Sequence, residues 1–447
     1  MTITPENRES AENSESAEPH QNTRPVHPTE TSDHPTEAQA DSAVAESSQA
    51  TPTPGTENKT EGAEAPAPLP VDYAEGTTTD EPSNYDAILL ASFGGPEGQD
   101  DVIPFLRNVT TGRGIPDERL EEVATHYRAN GGISPINQQN RDLKGALEAE
   151  VAARQLNIPI YWGNRNWNPF FTETFREMHA AGHRRILALV TSAYNGYSSC
   201  GQYREDFSLT LDETGLREEM SVVKVRQFFM DKAFIDPFKD ALAAGIADVR
   251  AQLEQAGKPD AQPKIVFVTH SIPSRNAEAM GPDRVIEEYG TDVYSAEHLA
   301  VARHLMASVP EAAGLEHSLT FQSRSGSPKT PWLEPDINDA ITEDAEAGVA
   351  GVVVMPIGFV SDHMEVLWDL DTEAKDTAAE LGLAYHRAAT PGIQEKFVSG
   401  LVDVLSEYLK GVNGEPVGFG EQVVPGQWSG ICGPCNCTRF RKDVARS

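Results

Sequence analysis

Short runs of β-branched and aliphatic residues recur along the chain, and most are followed by a polar or Gly/Pro loop and then a helical pattern. The predicted strands cover residues 86–93, 158–163, 186–190, 223–225, 265–268, 318–322 and the apolar run that begins at Gly351. Runs this short and apolar are typical of strands buried on both faces of a parallel sheet. Strands that alternate with helices predict a doubly wound α/β fold.

The same order of strand, aromatic and Gly-containing loop, and helix occurs once in each half, around Tyr194 and around Phe359. This repetition predicts two similar Rossmann-like α/β lobes with parallel sheets that face one cleft. The predicted boundaries are an N-terminal lobe at 85–255, a C-terminal lobe at 256–412 and a Cys-containing extension at 413–447.

The first 84 residues are rich in Glu, Thr, Ser, Pro and Ala and almost lack large apolar side chains. They hold 17 acidic and 3 basic residues, a net charge of −14 out of the −33 of the whole chain. Such a segment cannot bury enough apolar surface to offset its chain entropy, so residues 1–84 are predicted to be a disordered tail.

The charge and hydropathy of the chain exclude several classes of protein. A net charge of −33 argues against binding to nucleic acid or to an anionic membrane surface. No apolar run approaches the roughly 18 residues of a membrane span, and the N-terminus lacks a basic-then-apolar signal. We therefore expect a soluble, cytoplasmic protein, with a monomer as the default oligomeric state.

His270 follows the apolar run 265–268 directly, and Pro273 marks the loop after it. This position places His270 at the carboxyl end of a parallel strand, where open α/β sheets bind their ligands. Imidazole titrates near neutral pH and also ligates metals, so His270 suits either proton transfer or coordination. The alternative is a buried or capping histidine with a purely structural role.

Three carboxylates follow the strand that begins at Gly351. Glu365, Asp369 and Glu373 are spaced by four residues, so they share one face of a predicted helix that Ser361 or Asp362 would cap. A solvated acidic face is the alternative interpretation. Together with His270, however, the row indicates an oxygen-and-nitrogen site for a divalent metal with a carboxylate track leading to it.

Two long segments and one short one carry a resemblance to a known family. His270 in its strand-end loop and the segment Gly-Phe-Val-Ser-Asp-His-Met-Glu-Val-Leu at 358–367 resemble the two signature segments of ferrochelatases. Gly-Gly-Ile-Ser-Pro-Ile at 131–136 is also similar, and the likeness runs from about residue 85 to residue 410. It implies a chelatase-like fold and a lyase of haem biosynthesis that inserts ferrous iron into a porphyrin. Kinship with the actinobacterial branch favours coproporphyrin III over protoporphyrin IX.

The resemblance also implies residue roles. His270 and Glu365 would be catalytic and bind ferrous iron from opposite walls of the cleft, and Asp369 and Glu373 would form an outer metal path. The porphyrin would contact Ser134, Tyr203 and Phe93. Many coproporphyrin-type relatives have a tyrosine at the position of Phe93 that can ligate the product iron, which phenylalanine cannot do. Thr110 and Thr111 likewise stand where some relatives carry arginines.

The four cysteines indicate a separate metal site. Cys432, Cys435 and Cys437 are clustered around a Gly-Pro turn, and Cys200 lies far away in the first lobe. Four thiolates suit either a 2Fe-2S cluster or zinc, and the spacing does not choose between them. The resemblance to actinobacterial ferrochelatases favours the 2Fe-2S cluster, and reduced thiols without a metal are the structural alternative.

Four other functions compete with insertion of iron into coproporphyrin III. A protoporphyrin IX ferrochelatase would differ only in its substrate, and a non-catalytic tetrapyrrole carrier would not need the carboxylate row. A cobalt chelatase would use two histidines, whereas only His270 has a suitable context and His363 is expected to cap the helix. An iron–sulfur electron carrier would need the cysteines but not the cleft.

Overall fold

A computed structural model describes residues 82–112, 115–280, 283–325, 329–426 and Trp428. The greater part of the predicted tail at 1–84, and Cys432, Cys435 and Cys437, lie outside these described residues. None of the helices in the described part of the chain combines the length and the apolar composition needed to cross a bilayer.

Eight strands in the described residues form two parallel four-stranded sheets. The first sheet has the order β2-β1-β3-β4 and the second has the order β6-β5-β7-β8, so both halves repeat one topology. The strands are β1 (Ala87–Ser92), β2 (Ile160–Asn164), β3 (Arg185–Val190), β4 (Ser221–Lys224), β5 (Lys264–His270), β6 (His317–Gln322), β7 (Gly351–Met355) and β8 (Ala384–Arg387). The prediction of an α/β fold with two similar parallel-sheet lobes is confirmed.

Helices connect the strands and cover both faces of each sheet. They are α1 (Val102–Val109), α2 (Asp117–Ala129), α3 (Ile136–Ala153), α4 (Phe171–Ala180), α5 (Gln202–Thr214), α6 (Lys232–Gln255), α7 (Ser274–Glu278), α8 (Asp283–Tyr289), α9 (Val293–Ser308), α10 (Ile337–Glu346), α11 (Met364–Trp368), α12 (Lys375–Glu380) and α13 (Glu395–Ser406). Short 3₁₀ turns lie at Gln99–Asp101 and Pro310–Ala312, and π-helical segments lie at Tyr197–Gly201 and Asp369–Ala374.

The period-two alternation of the strands divides their side chains between a shared core and two outer cores. Ile88 and Leu90 of β1 join Ile265 and Phe267 of β5 in one continuous cluster that also takes side chains from α3, α6, α9 and α13. The intervening residues of β1 pack outward against α4 and α5, and those of β5 pack outward against α10 and α11. Each sheet therefore turns one face toward the middle of the molecule.

The helices of the shared core cross between the two halves of the chain. α6 precedes β5 in sequence but packs on β7 and β8, where Gly351 lies against Val249 of this helix. α13 follows the second sheet but packs on α3 of the first half as well as on α6. The boundary at residue 255 stays a prediction, because the packing of these helices follows neither half of the chain alone.

Candidate functional site

The carboxyl ends of β5, β6 and β7 bring the predicted metal site together. His270 is the last residue of β5 and pairs in register with Gln322, the last residue of β6, and the N–H of Ser271 donates to the Gln322 carbonyl at 2.8 Å. The loop after β7 crosses the same edge of the sheet, and the N–H of Gly358 donates to the Val268 carbonyl at 3.2 Å. This contact brings the start of α11 next to β5.

His270 and Glu365 are direct neighbours. His270 Nε2 lies 3.6 Å from Glu365 Oε2, and both side chains are partly exposed. An ion bonded at about 2.1 Å to both atoms would hold them about 3.0 Å apart at a right angle and about 4.2 Å apart in a line, so the observed separation lies within the range for a shared metal ion. The expectation that the two groups come from opposite walls is wrong, because both follow adjacent strands of the second sheet.

The hydrogen bond of His270 fixes which ring nitrogen is available. Nδ1 contacts the main-chain carbonyl oxygen of Ser271. A carbonyl oxygen only accepts, so Nδ1 carries the hydrogen in the neutral ring. Nε2 therefore has its lone pair free, on the side of Glu365, for a proton or for a metal ion.

A buried hydrogen-bond network holds the main chain of His270 from behind. Tyr294 Oη donates to the His270 carbonyl at 3.0 Å and lies 2.8 Å from Thr269 Oγ1, which in turn lies 2.9 Å from His298 Nε2. Burial lowers the pKa of His298 to about 3, so this imidazole is neutral. Tyr194 stacks on His298 at 3.7 Å between ring centroids. Tyr194 and His298 thus belong to the support of the site.

His363 caps α11 and has its Nδ1 occupied. The N–H of Glu365 donates to His363 Nδ1 at 3.2 Å, which confirms the predicted cap by His363, while the predicted cap by Ser361 or Asp362 is wrong. Asp362 instead pairs with Arg387 at 3.1 Å. Burial lowers the pKa of His363, Glu365 opposes this shift and His270 adds to it. His363 is therefore neutral near pH 7.

Asp369 lies at the point where the α-helix becomes a π-helix. α11 ends at Trp368, and Asp369–Ala374 continues it with the wider π geometry, so the expected regular α-helical face ends there. The hydroxyl of Ser323 donates to Asp369 Oδ2, and Gln322 Nε2 donates to the same atom at 3.3 Å. π-Helical segments are frequent at functional sites.

The carboxyl of Asp369 titrates near neutral pH. Burial raises its pKa to about 7, the hydrogen bond from Ser323 opposes the shift, and the negative charges of Glu365, Glu373 and Asp336 add to it. The shifts caused by Glu365 and Glu373 reflect the closeness of the three carboxylates. Near pH 7, Asp369 is thus able both to hold and to release a proton.

Glu373 is held by an aromatic pair that spans the two halves of the chain. Trp368 Nε1 donates to Glu373 Oε1 at 2.7 Å, and the Trp368 indole stacks on the imidazole of His126 with 4.2 Å between ring centroids. His126 belongs to α2, which follows the first strand of the first sheet. Burial lowers the pKa of His126, and Glu373 opposes the shift.

α1 and α2 form an arm that packs against α11. Phe105, Leu120 and Tyr127 of the arm share a small core with Met364, and Leu367 borders it. Burial raises the pKa of the Tyr127 phenol, and Glu365 and then Asp369 add to this shift. Neither Tyr127 nor His126 is among the site residues expected from the sequence. The apolar residues on one face of α2 indicate that this helix packs on another element. Their spacing does not show that the element is α11.

The predicted porphyrin contacts lie on the first half of the chain. Phe93 follows β1, is 37% exposed and meets Phe105 edge to face at 6.3 Å. Ser134 is buried, and its N–H donates to the Pro96 carbonyl at 2.9 Å, which joins the 131–136 loop to the loop after β1. Tyr203 is buried in the outer core, and the Arg165 guanidinium lies 3.8 Å from its ring centroid. These three assignments stay predictions.

Cys200 is the only one of the four cysteines in the described residues. It is buried within the π-helical segment Tyr197–Gly201 that leads into α5. Across the described part of the chain, no three His, Cys, Asp or Glu side chains form a closed set of metal ligands. The site at His270 and Glu365 is therefore an open pair followed by a row of carboxylates.

Comparison with known proteins gives a consistent result. The family model for ferrochelatase matches residues 85–409. A coproporphyrin III ferrochelatase of Leifsonia xyli is 49% identical over 84% of this chain and 96% of that protein. One of Streptomyces coelicolor is 49% identical over 75% of this chain and 88% of that protein. Among solved structures, SirB from Bacillus subtilis has a TM-score of 0.40 and 11% identity over 72% of this chain and 96% of that chain.

Proposed function

Because the chain belongs to the ferrochelatase family, a family of metal chelatases, we propose that it inserts ferrous iron into coproporphyrin III in haem biosynthesis. The single observation that supports this most directly is the 3.6 Å separation of His270 Nε2 and Glu365 Oε2. The name of the relatives with 49% identity supports the choice of coproporphyrin III.

In this proposal His270 and Glu365 exchange one iron ion for two protons. The ion first binds between Nε2 and the carboxylate, and it then moves onto the four ring nitrogens. Two pyrrole N–H protons leave the ring, and the lone pairs that released the ion accept one proton each. Charge balances, because Fe²⁺ is replaced by two protons, which the carboxylate row then passes to solvent.

The remaining assignments follow from the same proposal. Asp369 and Glu373 form the outer metal path, and the pKa of about 7 suits Asp369 to proton transfer at neutral pH. Phe93 is 37% exposed and offers a ring face to the porphyrin, whereas Ser134 and Tyr203, the expected polar anchors, are buried. Since phenylalanine has no ligating atom, Phe93 does not bind the product iron.

Two further chemistries are weighed against iron insertion. A two-histidine metal site is disfavoured because His363 Nδ1 accepts from the N–H of Glu365, which leaves the hydrogen of the neutral ring on Nε2. A carrier that binds a tetrapyrrole without reacting does not account for three carboxylates placed beside an imidazole, since their mutual repulsion destabilises the segment.

The substrate is tested by anaerobic initial rates with Fe²⁺ and either coproporphyrin III or protoporphyrin IX. We expect a higher kcat/KM for coproporphyrin III. A preference for protoporphyrin IX would replace the substrate in the proposal, and tight binding of both rings without insertion would favour the carrier.

The roles of the two residues are tested with His270→Ala and Glu365→Gln. Each should lower kcat by about a hundredfold or more, because each removes both an iron ligand and a proton acceptor. His179→Ala is the matched control, since His179 pairs with Glu219 at 2.7 Å on the outside of the first half. Near-normal insertion by folded His270→Ala would refute the assignment.

We also propose that Cys200, Cys432, Cys435 and Cys437 hold a 2Fe-2S cluster. The ring of Trp428, four residues before Cys432, meets Phe229 at 5.5 Å, and Phe229 stacks at 5.1 Å on Tyr194 in the loop that leads to Cys200. Four residues span up to about 14 Å, so this contact supports a meeting of the C-terminal cysteines with Cys200. The cluster would join the C-terminus to the first half of the chain.

The cluster is tested by iron, sulfide and zinc analysis of anaerobically purified protein, together with its visible absorption. We expect two iron and two sulfide per chain and loss of both in Cys435→Ser. One zinc per chain would instead support the zinc site, and no metal would support reduced thiols. We also propose a cytoplasmic location, which cell fractionation would test, and a monomeric state, which gel filtration would test.

A further inference from the structure

Gln322 lies at the centre of the site but is not one of the residues predicted to bind iron or porphyrin. It is the last residue of β6, is 1% exposed and pairs in register with His270. Its Nε2 donates at 3.3 Å both to the main-chain carbonyl of Glu365 and to Asp369 Oδ2. One amide group thus connects the strand that neighbours His270 with two members of the carboxylate row.

Among the described residues, the oxygen of this amide is left without a hydrogen bond. Oε1 of Gln322 is buried and has no hydrogen-bond partner in the described part of the chain. The orientation is consistent, because Nε2 rather than Oε1 faces the acceptor oxygens of Glu365 and Asp369. A buried acceptor without a partner lowers stability, so its presence requires a gain elsewhere.

The next residue carries a second, independent cost. Ser323 has a φ of +59°, in the left-handed region that a residue with a side chain seldom adopts. This backbone places its hydroxyl on Asp369 Oδ2, the atom that also accepts from Gln322. Strained backbone tends to persist at functional sites, and here both costs converge on one carboxylate oxygen.

We propose that Gln322 and Ser323 form a positioning pair that holds Asp369 and the first turn of α11 for ferrous iron. This inference rests on the proposed function, because the ion is the substrate of the carboxylate row. The pair restrains the carboxylates while the ion passes from Asp369 to Glu365 and His270. The positioning pair acts on the binding of the cation and not on the binding of the porphyrin.

The first experiment separates the two substrates kinetically. Gln322→Glu keeps the shape of the side chain but replaces the N–H donors with an oxygen that repels Asp369 and the Glu365 carbonyl. We expect the KM for Fe²⁺ to rise about tenfold to hundredfold, and the KM for the porphyrin to stay within about twofold. Thr320→Val is the control: Thr320 lies on β6 like Gln322, and the variant removes its buried 3.1 Å hydrogen bond to the Phe267 carbonyl of β5, which should leave both constants unchanged.

The second experiment uses a variant that should keep or raise thermal stability while it weakens the binding of iron. Ser323→Gly relieves the positive φ but removes the hydroxyl, so the thermal midpoint should stay or rise while the KM for Fe²⁺ rises. A purely structural serine would lower the midpoint and leave the KM unchanged. Calorimetric titration of Fe²⁺ into the anaerobic protein without porphyrin should show at least fivefold weaker binding in Gln322→Glu.

The outcomes distinguish this inference from the proposed function. If the wild-type protein inserts iron into neither porphyrin, the proposed function fails. If the wild type is active but folded Gln322→Glu and Ser323→Gly bind Fe²⁺ normally, or change the porphyrin KM instead, the positioning pair is refuted. A rise in the Fe²⁺ KM of both variants, with Thr320→Val unaffected, supports the pair.

Discussion

At the scale of single residues, one hydrogen bond to each imidazole decides which ring nitrogen of that histidine can react. His270 has a free Nε2 because its Nδ1 contacts a carbonyl oxygen. Nδ1 of His363, by contrast, accepts a hydrogen bond from the main-chain N–H of Glu365 at the start of α11. Two imidazoles near one carboxylate therefore have different roles. The choice of His270 over His363 was possible from sequence because only His270 ends a strand.

The first prediction concerns Asp369 and the pH dependence of stability. The folded pKa is about 7 and the usual value is 3.8, so the folded state alone holds the proton between these two pH values. The free energy of unfolding contributed by Asp369 therefore falls as pH rises from about 4 to 7 and is constant above. Asp369→Asn removes this loss and should gain on the order of 4 kcal/mol relative to the wild type between pH 4 and 8.

Urea unfolding at pH 5, 6, 7 and 8 measures this difference. Asp376→Asn controls for the loss of one negative charge, since Asp376 is exposed and lies on α12. A stability difference between Asp369→Asn and the wild type that does not vary with pH would contradict the shifted pKa.

At the scale of elements, the loop between β7 and α11 controls how the two site residues meet. A Cβ on Gly358 would lie 2.7 Å from Thr269 Cβ and 2.9 Å from Thr269 Cα, so the loop approaches β5 at backbone distance. Gly358→Ala should push the loop away from β5, destabilise the protein by about 1–3 kcal/mol and lower kcat/KM by separating His270 from Glu365.

Thermal unfolding and steady-state rates test this prediction together. Gly145→Ala is the matched control, because Gly145 lies inside α3 with open space around its Cα and alanine favours the helix. If Gly358→Ala has wild-type rates and stability, the close contact between the loop and β5 is not needed for function.

The elements that sequence predicted well are those with a strong apolar signal. The runs that became β1, β3, β5 and β7 are buried on both faces, and their limits agree with the prediction to within a few residues. β8 was missed because Ala-Tyr-His-Arg is short and half-buried. The π-helical segment Asp369–Ala374 was missed because carboxylates spaced by four residues fit an α-helix and a π-helix equally well. The adjacency of His270 and Glu365 depends on strand order, which no local pattern contains.

At the scale of the whole molecule, Arg226 links the loop after β4 to the end of α13. It binds Asp231 and Glu407, each at 2.6 Å, and the side chain of Asp231 is 1% exposed. Burial raises the pKa of Asp231, and the guanidinium of Arg226 opposes the rise. Arg226→Met should destabilise the fold by about 3–5 kcal/mol, because it leaves a buried carboxylate without its counter-charge.

Urea unfolding of Arg226→Met and of the double variant Arg226→Met/Asp231→Asn tests this account, and the double variant should recover part of the loss. Lys232→Met is the control, since Lys232 pairs with Glu421 at 3.0 Å in solvent and its loss should cost far less stability than that of Arg226. Equal losses for Arg226→Met and Lys232→Met would refute the buried ion pair.

The shared core has a consequence for the order in which the chain is made. The inner face of β1 packs in a cluster that includes Phe397 and Leu401 of α13, which leave the ribosome last among the helices named above. At about 5–20 residues per second, the roughly 300 residues between these elements take tens of seconds to synthesise. Throughout that interval α3 covers only part of this apolar cluster, and the surface that α13 later buries stays in contact with solvent, so the nascent chain needs protection from aggregation until α13 is made.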